Sequence, residues 1–281
     1  MGLDPAYNPR MPCYEPMEEM MNHRRTQPLD PSAIRLHRSG QGEPLVMLHC
    51  LGMSHHLWDC LGGLADRYTL ISYDLPGHGE TALPAAPYGI EELSAQLAGV
   101  LRREGIARAH VMGISLGGLV AQCFAATEPA MLDRLVLCDT TPRYTDEARA
   151  NWVVRAAAAR RDGAASLLPM IEKIWFTPGF VAATPPAVRL VRDTFHACSG
   201  EGYALACEAL GAADLRDLAA RIAAPTLVVC GNDESDAFKD AARWLAQHIA
   251  GARLEFIPQA AHASVLQQPA AIEALLRGFL G

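Results

Sequence analysis

The chain has 281 residues, of which half are hydrophobic and a fifth are charged, the balance of a globular protein with one large or two small domains. Its formal net charge of −7 and its lack of any basic run exclude nucleic acid as an expected partner. No apolar stretch approaches the ~20 residues of a membrane span, and residues 1–22 lack the apolar core of a signal peptide, so we expect a cytoplasmic protein without a membrane partner.

Residues 1–30 are rich in Pro and Met and show no hydrophobic period, which predicts a flexible N-terminal arm. After the arm, short apolar runs alternate with amphipathic helical patterns. Such runs are typical of strands buried on both faces of a sheet, and the alternation predicts a doubly wound, mostly parallel α/β sheet. Cysteines that fall in or beside these runs are expected to be buried, reduced thiols: Cys50, Cys138 and Cys230. The predicted strands are 33–36, 45–50, 69–73, 110–113, 135–139, 226–230 and 254–257.

Residues 143–218 break the alternation, because they contain several helical patterns and no convincing strand. An insertion of this length between two strands is long for a connection and normally carries function. We therefore predict a helical cap over 143–218 and an α/β core formed by 31–142 and 219–281. Three large apolar side chains are predicted to line a pocket beneath the cap: Trp152, Trp175 and Phe176.

The motif Gly113-Ile114-Ser115-Leu116-Gly117 lies between a predicted strand and a helical pattern. This is the context of the nucleophile elbow of the α/β-hydrolase fold, in which a strained turn lifts a serine hydroxyl above the sheet edge. The flanking glycines keep side chains out of the tight turn. We predict that Ser115 is a catalytic nucleophile, placed at a helix N-terminus that favours developing negative charge.

A general base must reach Ser115, and His262 is the predicted base. It follows the last predicted strand and precedes the last helix, where the serine–acid–histidine order of this fold puts its histidine. His78, in the loop after strand 69–73, is expected to be structural instead. The chemistry predicted for the chain is therefore that of a serine hydrolase.

The acid that orients His262 is expected in the loop after strand 226–230. Counting three residues on from Gly231, as in the common Gly-x-x-Asp form, selects Glu234, and either Asp or Glu can fix the imidazole tautomer. Some carboxylates in this loop are expected only to cap the following helix. Three alternatives to Glu234 stay open: Asp233, Asp236 and Asp139.

An oxyanion hole needs two backbone N–H donors. The N–H of Leu116, directly after the nucleophile, is the first predicted donor. Leu51 is the second, because His49-Cys50-Leu51-Gly52 stands where this fold has its His-Gly-x-Gly loop. Side chains and backbone thus fill every catalytic role, and we expect neither a cofactor nor a metal.

Beyond the general fold, the chain resembles the 3-oxoadipate enol-lactonase group of α/β hydrolases over about residues 33–280. The resemblance rests on 51–53 with 57–59, 117–122, 134–140, 174–178, 202–204 with 207–210, and 260–262, of which the stretches in the insertion are the more specific. It implies hydrolysis of a small enol-lactone in bacterial aromatic catabolism. Such a substrate carries a free carboxylate, so one arginine is expected to bind it: Arg143, Arg155 or Arg189.

Two departures and several alternatives accompany this resemblance. The group usually has Asp where this chain has Glu234, often followed by Thr-Pro, and the N-terminal arm is extra. Another lactone or ester, such as an acyl-homoserine lactone, therefore stays open, as do C–C bond hydrolysis, a haloperoxidase-like reaction and a non-catalytic receptor on the same fold. A metal-dependent lactonase is disfavoured, because the close pair His55-His56 lacks the spacing of metal ligands.

Overall fold

Seven strands form one sheet in the computed structural model, which describes residues 27–281. Their order across the sheet is β1-β3-β2-β4-β5-β6-β7; β1 is antiparallel to β3 and every other neighbouring pair is parallel. The strands β4 and β6 are buried along their whole length, as their largely apolar runs predict. The strands are β1 His37–Ser39, β2 Glu43–Leu48, β3 Tyr68–Tyr73, β4 Ala109–Ile114, β5 Leu132–Cys138, β6 Thr226–Gly231 and β7 Arg253–Ile257.

Eleven α-helices accompany the sheet within residues 27–281. The charges of the first illustrate why they form where they do: Glu91 and Glu92 lie in its first turn and Arg102 and Arg103 in its last, which complements the helix dipole. No helix in this part of the chain is long and apolar enough to cross a membrane. The helices are α1 Ile90–Arg103, α2 Leu116–Thr127, α3 Asp146–Asp162, α4 Leu168–Trp175, α5 Pro178–Ala183, α6 Pro186–Ala197, α7 Gly200–Ala212, α8 Arg216–Ala219, α9 Asp236–His248, α10 Ser264–Gln267 and α11 Pro269–Leu280.

The doubly wound, mostly parallel sheet is confirmed, but its first strand is not the predicted one. A 3₁₀ turn over Pro31–Ala33 replaces the start of the predicted strand 33–36, because Asp30 caps it by accepting the Ser32 N–H at 2.8 Å. The edge strand β1 begins only at His37. Most of the predicted arm 1–30 lies outside the described residues. At its described end, Gln96 of α1 donates to the Asp30 carbonyl at 3.2 Å.

The helical insertion predicted between two strands is present, since α3 to α8 all lie between β5 and β6. Its longest helices, α3 and α7, pack against each other. The chain leaves and re-enters the sheet side by side: Arg143 and Asp214 form an isolated β-bridge, and the Leu215 N–H donates to the Pro142 carbonyl at 2.8 Å. The division into a core and a separate cap stays a prediction.

Candidate active site

A cavity of about 620 Å³ lies beyond the carboxyl ends of the parallel strands. Leu51 follows β2, Ser115 follows β4, Glu234 follows β6 and His262 follows β7, and all four line this cavity. Parallel strands end at the same sheet edge, so residues far apart in sequence meet there. The opposite wall comes from the helical insertion and from α9.

Ser115 occupies a tight turn between β4 and α2. Its φ of 52° lies in the left-handed region, which is unfavourable for a residue with a side chain. The Ser115 N–H donates to the Cys138 carbonyl at 3.0 Å, which ties the turn to β5. A Cβ at Gly113 would lie 2.1 Å from the Gly117 carbonyl oxygen, and one at Gly117 would lie 2.1 Å from the Leu48 oxygen. The two glycines are therefore what lets the turn close.

The Nδ1–H of His262 donates to Glu234 Oε2 at 2.6 Å, and both side chains are buried. The other carboxylate oxygen accepts the Ser235 N–H at 2.6 Å, which holds the Glu234 side chain in place. A carboxylate on Nδ1 fixes the imidazole tautomer that leaves Nε2 without a proton. This is the hydrogen bond that the count from Gly231 predicted for Glu234.

The Glu234–His262 pair shifts the pKa values of both groups toward their charged forms. Burial acts to lower the His262 pKa, but the charge and hydrogen bond of Glu234 outweigh it, and the His262 pKa lies above its ordinary value. Burial acts to raise the Glu234 pKa, but the charge of His262 and the hydrogen bonds from His262 and Ser235 together outweigh it, and the Glu234 pKa is lowered. The pair thus favours a protonated imidazole in the cavity that Ser115 also lines.

The alternative carboxylates of this loop do not contact His262. Asp233 is exposed, and its N–H donates to the Ala260 carbonyl at 2.8 Å. Asp236 opens α9 and forms an exposed ion pair with Lys239 at 2.9 Å. Both lie where helix-capping and surface carboxylates are found.

Asp139, the fourth candidate acid, joins two loops of the site. One carboxylate oxygen accepts the Gly231 N–H at 2.8 Å, and the other accepts the Ser264 hydroxyl at 2.6 Å and the Ser264 N–H at 3.1 Å. Burial raises the Asp139 pKa to about 7. Gly231 begins the loop of Glu234, and Ser264 follows His262 by two residues. Asp139 therefore holds the two loops together and makes no hydrogen bond with His262.

The backbone N–H groups predicted for an oxyanion hole belong to Leu116, directly after Ser115, and to Leu51, in the loop after β2. Leu116 is the first residue of α2, where N–H groups have no partner within the helix. Leu51 lines the cavity, and no hydrogen bond within residues 27–281 engages its N–H. Its loop is held by His49, whose ring accepts the Leu75 N–H at 2.9 Å and whose Nδ1–H donates to the Cys50 carbonyl at 2.8 Å. Burial lowers the His49 pKa, which keeps this ring neutral.

Of the three apolar side chains predicted to line the pocket, Trp152 and Trp175 do so and Phe176 does not. The structure does not place Phe176 in the cavity lining: α4 ends at Trp175, and Phe176 follows it in extended backbone. The Phe176 ring is buried against Phe180, with 5.2 Å between ring centroids.

The three candidate arginines differ in place and in partners. Arg189 is exposed, donates to the Thr184 carbonyl and does not line the cavity. Arg143 lines it but is paired with Asp146 at 2.6 Å and with Asp214 at 3.4 Å. Arg155 also lines the cavity and has no ion pair within the described chain; its guanidinium lies 4.7 Å from the centre of the Trp152 ring.

Two aromatic residues that the sequence analysis did not single out also belong to the site. Phe238 packs edge-on against His262, with 4.7 Å between ring centroids. Tyr144 is buried next to Ser115, whose hydroxyl partly offsets the rise that burial causes in the Tyr144 pKa. Tyr144 follows the end of β5, so the rule that sites form at strand ends could have indicated it.

A separate group of possible metal ligands lies away from the cavity. His37, His55 and Asp74 bring ligand atoms within 4.8 Å of one another, but none of the three lines the cavity. The Asp74 carboxylate already accepts hydrogen bonds from the His55 N–H at 2.6 Å and the Glu80 N–H at 2.8 Å. Asp74 therefore connects the segment that begins at His55 with the loop that contains Glu80.

Comparison with known proteins gives the family of this chain. A sequence profile of the alpha/beta hydrolase family matches residues 45–275. The chain belongs to this family. The alpha/beta hydrolase fold predicted from the elbow and the order of strands and helices is thereby confirmed.

Its relatives include enzymes of the predicted group. It is 32% identical to 3-oxoadipate enol-lactonase 2 of Acinetobacter baylyi, over 84% of this chain and 89% of that protein. It is 35% identical to a pimeloyl-[acyl-carrier protein] methyl ester esterase of Chromobacterium violaceum, over 81% of this chain and 90% of that protein. The solved structure of the enol-lactonase from Burkholderia xenovorans superposes with a TM-score of 0.84 at 33% identity, covering 88% of this chain and 96% of that one. The resemblance to enol-lactonases is confirmed.

Proposed function

We propose that this hydrolase opens a small lactone that carries a free carboxylate, as a 3-oxoadipate enol-lactonase does, through an acyl-enzyme on Ser115. The observation that carries the proposal is the 2.6 Å hydrogen bond from His262 Nδ1–H to Glu234, in the wall of the cavity that Ser115 also lines. The two relatives named as enol-lactonases support the lactone as substrate.

Acylation begins when the Ser115 hydroxyl attacks the lactone carbonyl and Nε2 of His262 takes its proton. Glu234, already hydrogen-bonded to Nδ1, stabilises the imidazolium. The negative charge that develops on the carbonyl oxygen is stabilised by the N–H groups of Leu51 and Leu116. Collapse of the tetrahedral intermediate breaks the ring C–O bond, and the imidazolium returns its proton to the departing enolate.

Deacylation uses the same groups with water as the nucleophile. His262 Nε2 removes a proton from water, and the hydroxide attacks the acyl carbonyl of the Ser115 ester. The ester C–O bond then breaks, Ser115 regains its proton from the imidazolium, and the ring-opened acid leaves. The raised His262 pKa favours the proton-accepting half of each step.

A carboxylic ester with a longer acyl chain is the second candidate substrate. The cavity extends past Ser115 along α9, where Phe238 and Trp244 line it, and about 620 Å³ is room for a ligand of drug size. The relative named as a pimeloyl-[acyl-carrier protein] methyl ester esterase acts on such an ester.

A panel of substrates tests the proposal with purified protein. We expect kcat/KM to be highest for 3-oxoadipate enol-lactone and lower for an N-acyl-homoserine lactone, a pimelate methyl ester and an aryl acetate. Ser115→Ala should lower kcat roughly 10⁴-fold or more and abolish labelling by a fluorophosphonate, without loss of folding. Near-normal turnover by this variant would disprove the serine mechanism, and a preference for the pimelate ester would select the second candidate.

A further inference from the structure

The cavity wall contains one cation that no carboxylate neutralises. Three arginines line the cavity: Arg143, Arg155 and Arg216. Arg143 is paired with Asp146 at 2.6 Å, and Arg216 with Asp214 at 2.6 Å. Arg155 has no ion pair or hydrogen bond to any of residues 27–281, although it is half-buried. A half-buried guanidinium without a counter-charge is a place where a ligand anion gains free energy.

Buried polar atoms without partners surround this cation. The Trp152 Nε1–H and the Tyr203 hydroxyl are buried and make no hydrogen bond within the described chain, and both residues line the cavity. Each can donate a hydrogen bond, and a buried donor without an acceptor costs about 1–3 kcal/mol. These unpaired donors are available to an acceptor group of a bound ligand.

Contacts tie these groups into one recess. The Arg155 guanidinium lies over the Trp152 ring at 4.7 Å, and the Tyr144 ring meets Trp152 edge-on at 5.2 Å. The positive charge of Arg155 also reaches Tyr203 and His262, where it acts to lower the pKa of each group. Arg155, Ser115 and His262 line the same cavity, so one small molecule can contact both the recess and the catalytic residues.

We propose that Arg155, with Trp152, Tyr144 and Tyr203 around it, forms the subsite that binds the carboxylate of the substrate while the lactone carbonyl lies at Ser115. This assignment rests on the proposed function and adds the residue that selects acidic over neutral substrates. It also explains why Arg143 is the weaker choice among the lining arginines, since its charge is already neutralised by two aspartates.

The test compares one substrate in two charge states: 3-oxoadipate enol-lactone and the methyl ester of its free carboxyl group. Wild type should prefer the acid. Arg155→Gln should raise KM for the acid roughly 10- to 100-fold, with little change in kcat, and leave the neutral ester within about threefold. Arg155→Lys should restore part of the preference, and Tyr203→Phe should raise KM for the acid about threefold to tenfold.

Controls separate failure of the subsite from failure of the proposed function. Arg189→Gln, which removes an exposed arginine outside the cavity, should keep the wild-type preference. If wild type itself shows no preference for the acid, the proposed function fails. If wild type prefers the acid and Arg155→Gln retains that preference, or if Arg143→Gln abolishes it instead, the subsite assignment is wrong.

A binding measurement without turnover completes the test. Calorimetry with Ser115→Ala and the six-carbon dicarboxylate adipate should give a Kd at least about tenfold weaker when Arg155→Gln is added. The neutral dimethyl ester of adipate should bind both proteins equally. Equal Kd values for adipate in the two proteins would contradict the proposal.

Discussion

Glu234 differs from the aspartate usual in its group by one methylene, which lengthens the side chain. The carboxylate still reaches Nδ1 of His262 at 2.6 Å, and its second oxygen is fixed by the Ser235 N–H. The longer side chain thus has a backbone anchor that limits its extra rotamer freedom.

Glu234→Gln and Asp233→Asn test which carboxylate acts on His262. Glu234→Gln should lower kcat roughly 10²- to 10⁴-fold, because an amide favours the wrong imidazole tautomer. Asp233→Asn should change kcat by less than about threefold, since Asp233 is exposed. A large loss in Asp233→Asn with a mild one in Glu234→Gln would contradict the proposed role of Glu234.

Glu234→Gln should also shift the pH dependence of kcat/KM. Glu234 raises the His262 pKa, so Glu234→Gln should lower it, and the neutral base should persist to lower pH. The acid limb of the kcat/KM profile should therefore move to lower pH even as the maximal rate falls. Profiles measured from pH 5 to pH 9 on both proteins check this; an unmoved limb would mean that Glu234 does not set the His262 pKa.

At the scale of strands and loops, Asp139 connects the two loops that carry Glu234 and His262. It lies at the end of β5 and accepts hydrogen bonds from Gly231 at the end of β6 and from Ser264 at the start of α10. Its φ of 43° suits Asp or Asn better than most side chains. The loops of Glu234 and His262 are consequently positioned by a neighbouring strand as well as by their own.

Asp139→Asn should preserve the backbone but replace one acceptor oxygen by a donor. One buried N–H or hydroxyl of Ser264 or Gly231 then loses its acceptor, which should lower the free energy of unfolding by about 1–3 kcal/mol. We expect kcat to fall about tenfold with KM nearly unchanged, because the variant displaces His262 and not the substrate. Denaturant titration measures the free energy of unfolding, and steady-state kinetics measures kcat and KM. Asp133→Asn, which removes the ion pair between Asp133 on β5 and Arg108, is a matched control that should have little effect on stability or on kcat.

Sequence patterns predicted some elements better than others for identifiable reasons. Apolar runs predicted β2 to β7, because a strand buried on both faces is visible in the sequence as a run of hydrophobic residues. The edge strand β1 is short and mostly polar, so its position depends on pairing with Ser72 of β3, which local composition does not encode. Phe176 lies outside the cavity lining, just after the end of α4, and helix ends are poorly defined in sequence.

Within the candidate site, motifs predicted Ser115 and His262, since the proposed chemistry requires particular residue types at particular strand ends, and both residues line the cavity. The choice among Arg143, Arg155 and Arg189 needed coordinates. It depends on which guanidinium lines the cavity and on every aspartate that each one meets: Arg143 pairs with Asp146, three residues away, but also with Asp214, 71 positions away in the numbering. Pairing over such separations leaves no local pattern.

At the scale of the whole molecule, the possible metal ligands and the cavity occupy different places. His37, His55 and Asp74 lie apart from the cavity lining, and the proposed mechanism assigns each step to Ser115, His262, Glu234 or backbone N–H groups. Prolonged dialysis against EDTA should therefore leave kcat/KM within about twofold. Loss of activity that zinc restores would overturn the mechanism.

The side-by-side exit and return of the chain at Arg143 and Asp214 has an evolutionary consequence. A segment whose two ends are neighbours can be lengthened, shortened or exchanged with little displacement of the strands outside it. Ser115, Glu234 and His262 all lie on the sheet side of that junction, whereas Trp152, Arg155 and Tyr203 lie within the segment. Lineages that inherit this architecture can thus change much of the cavity lining by remodelling one contiguous stretch of gene, while Ser115, Glu234 and His262 are inherited unaltered.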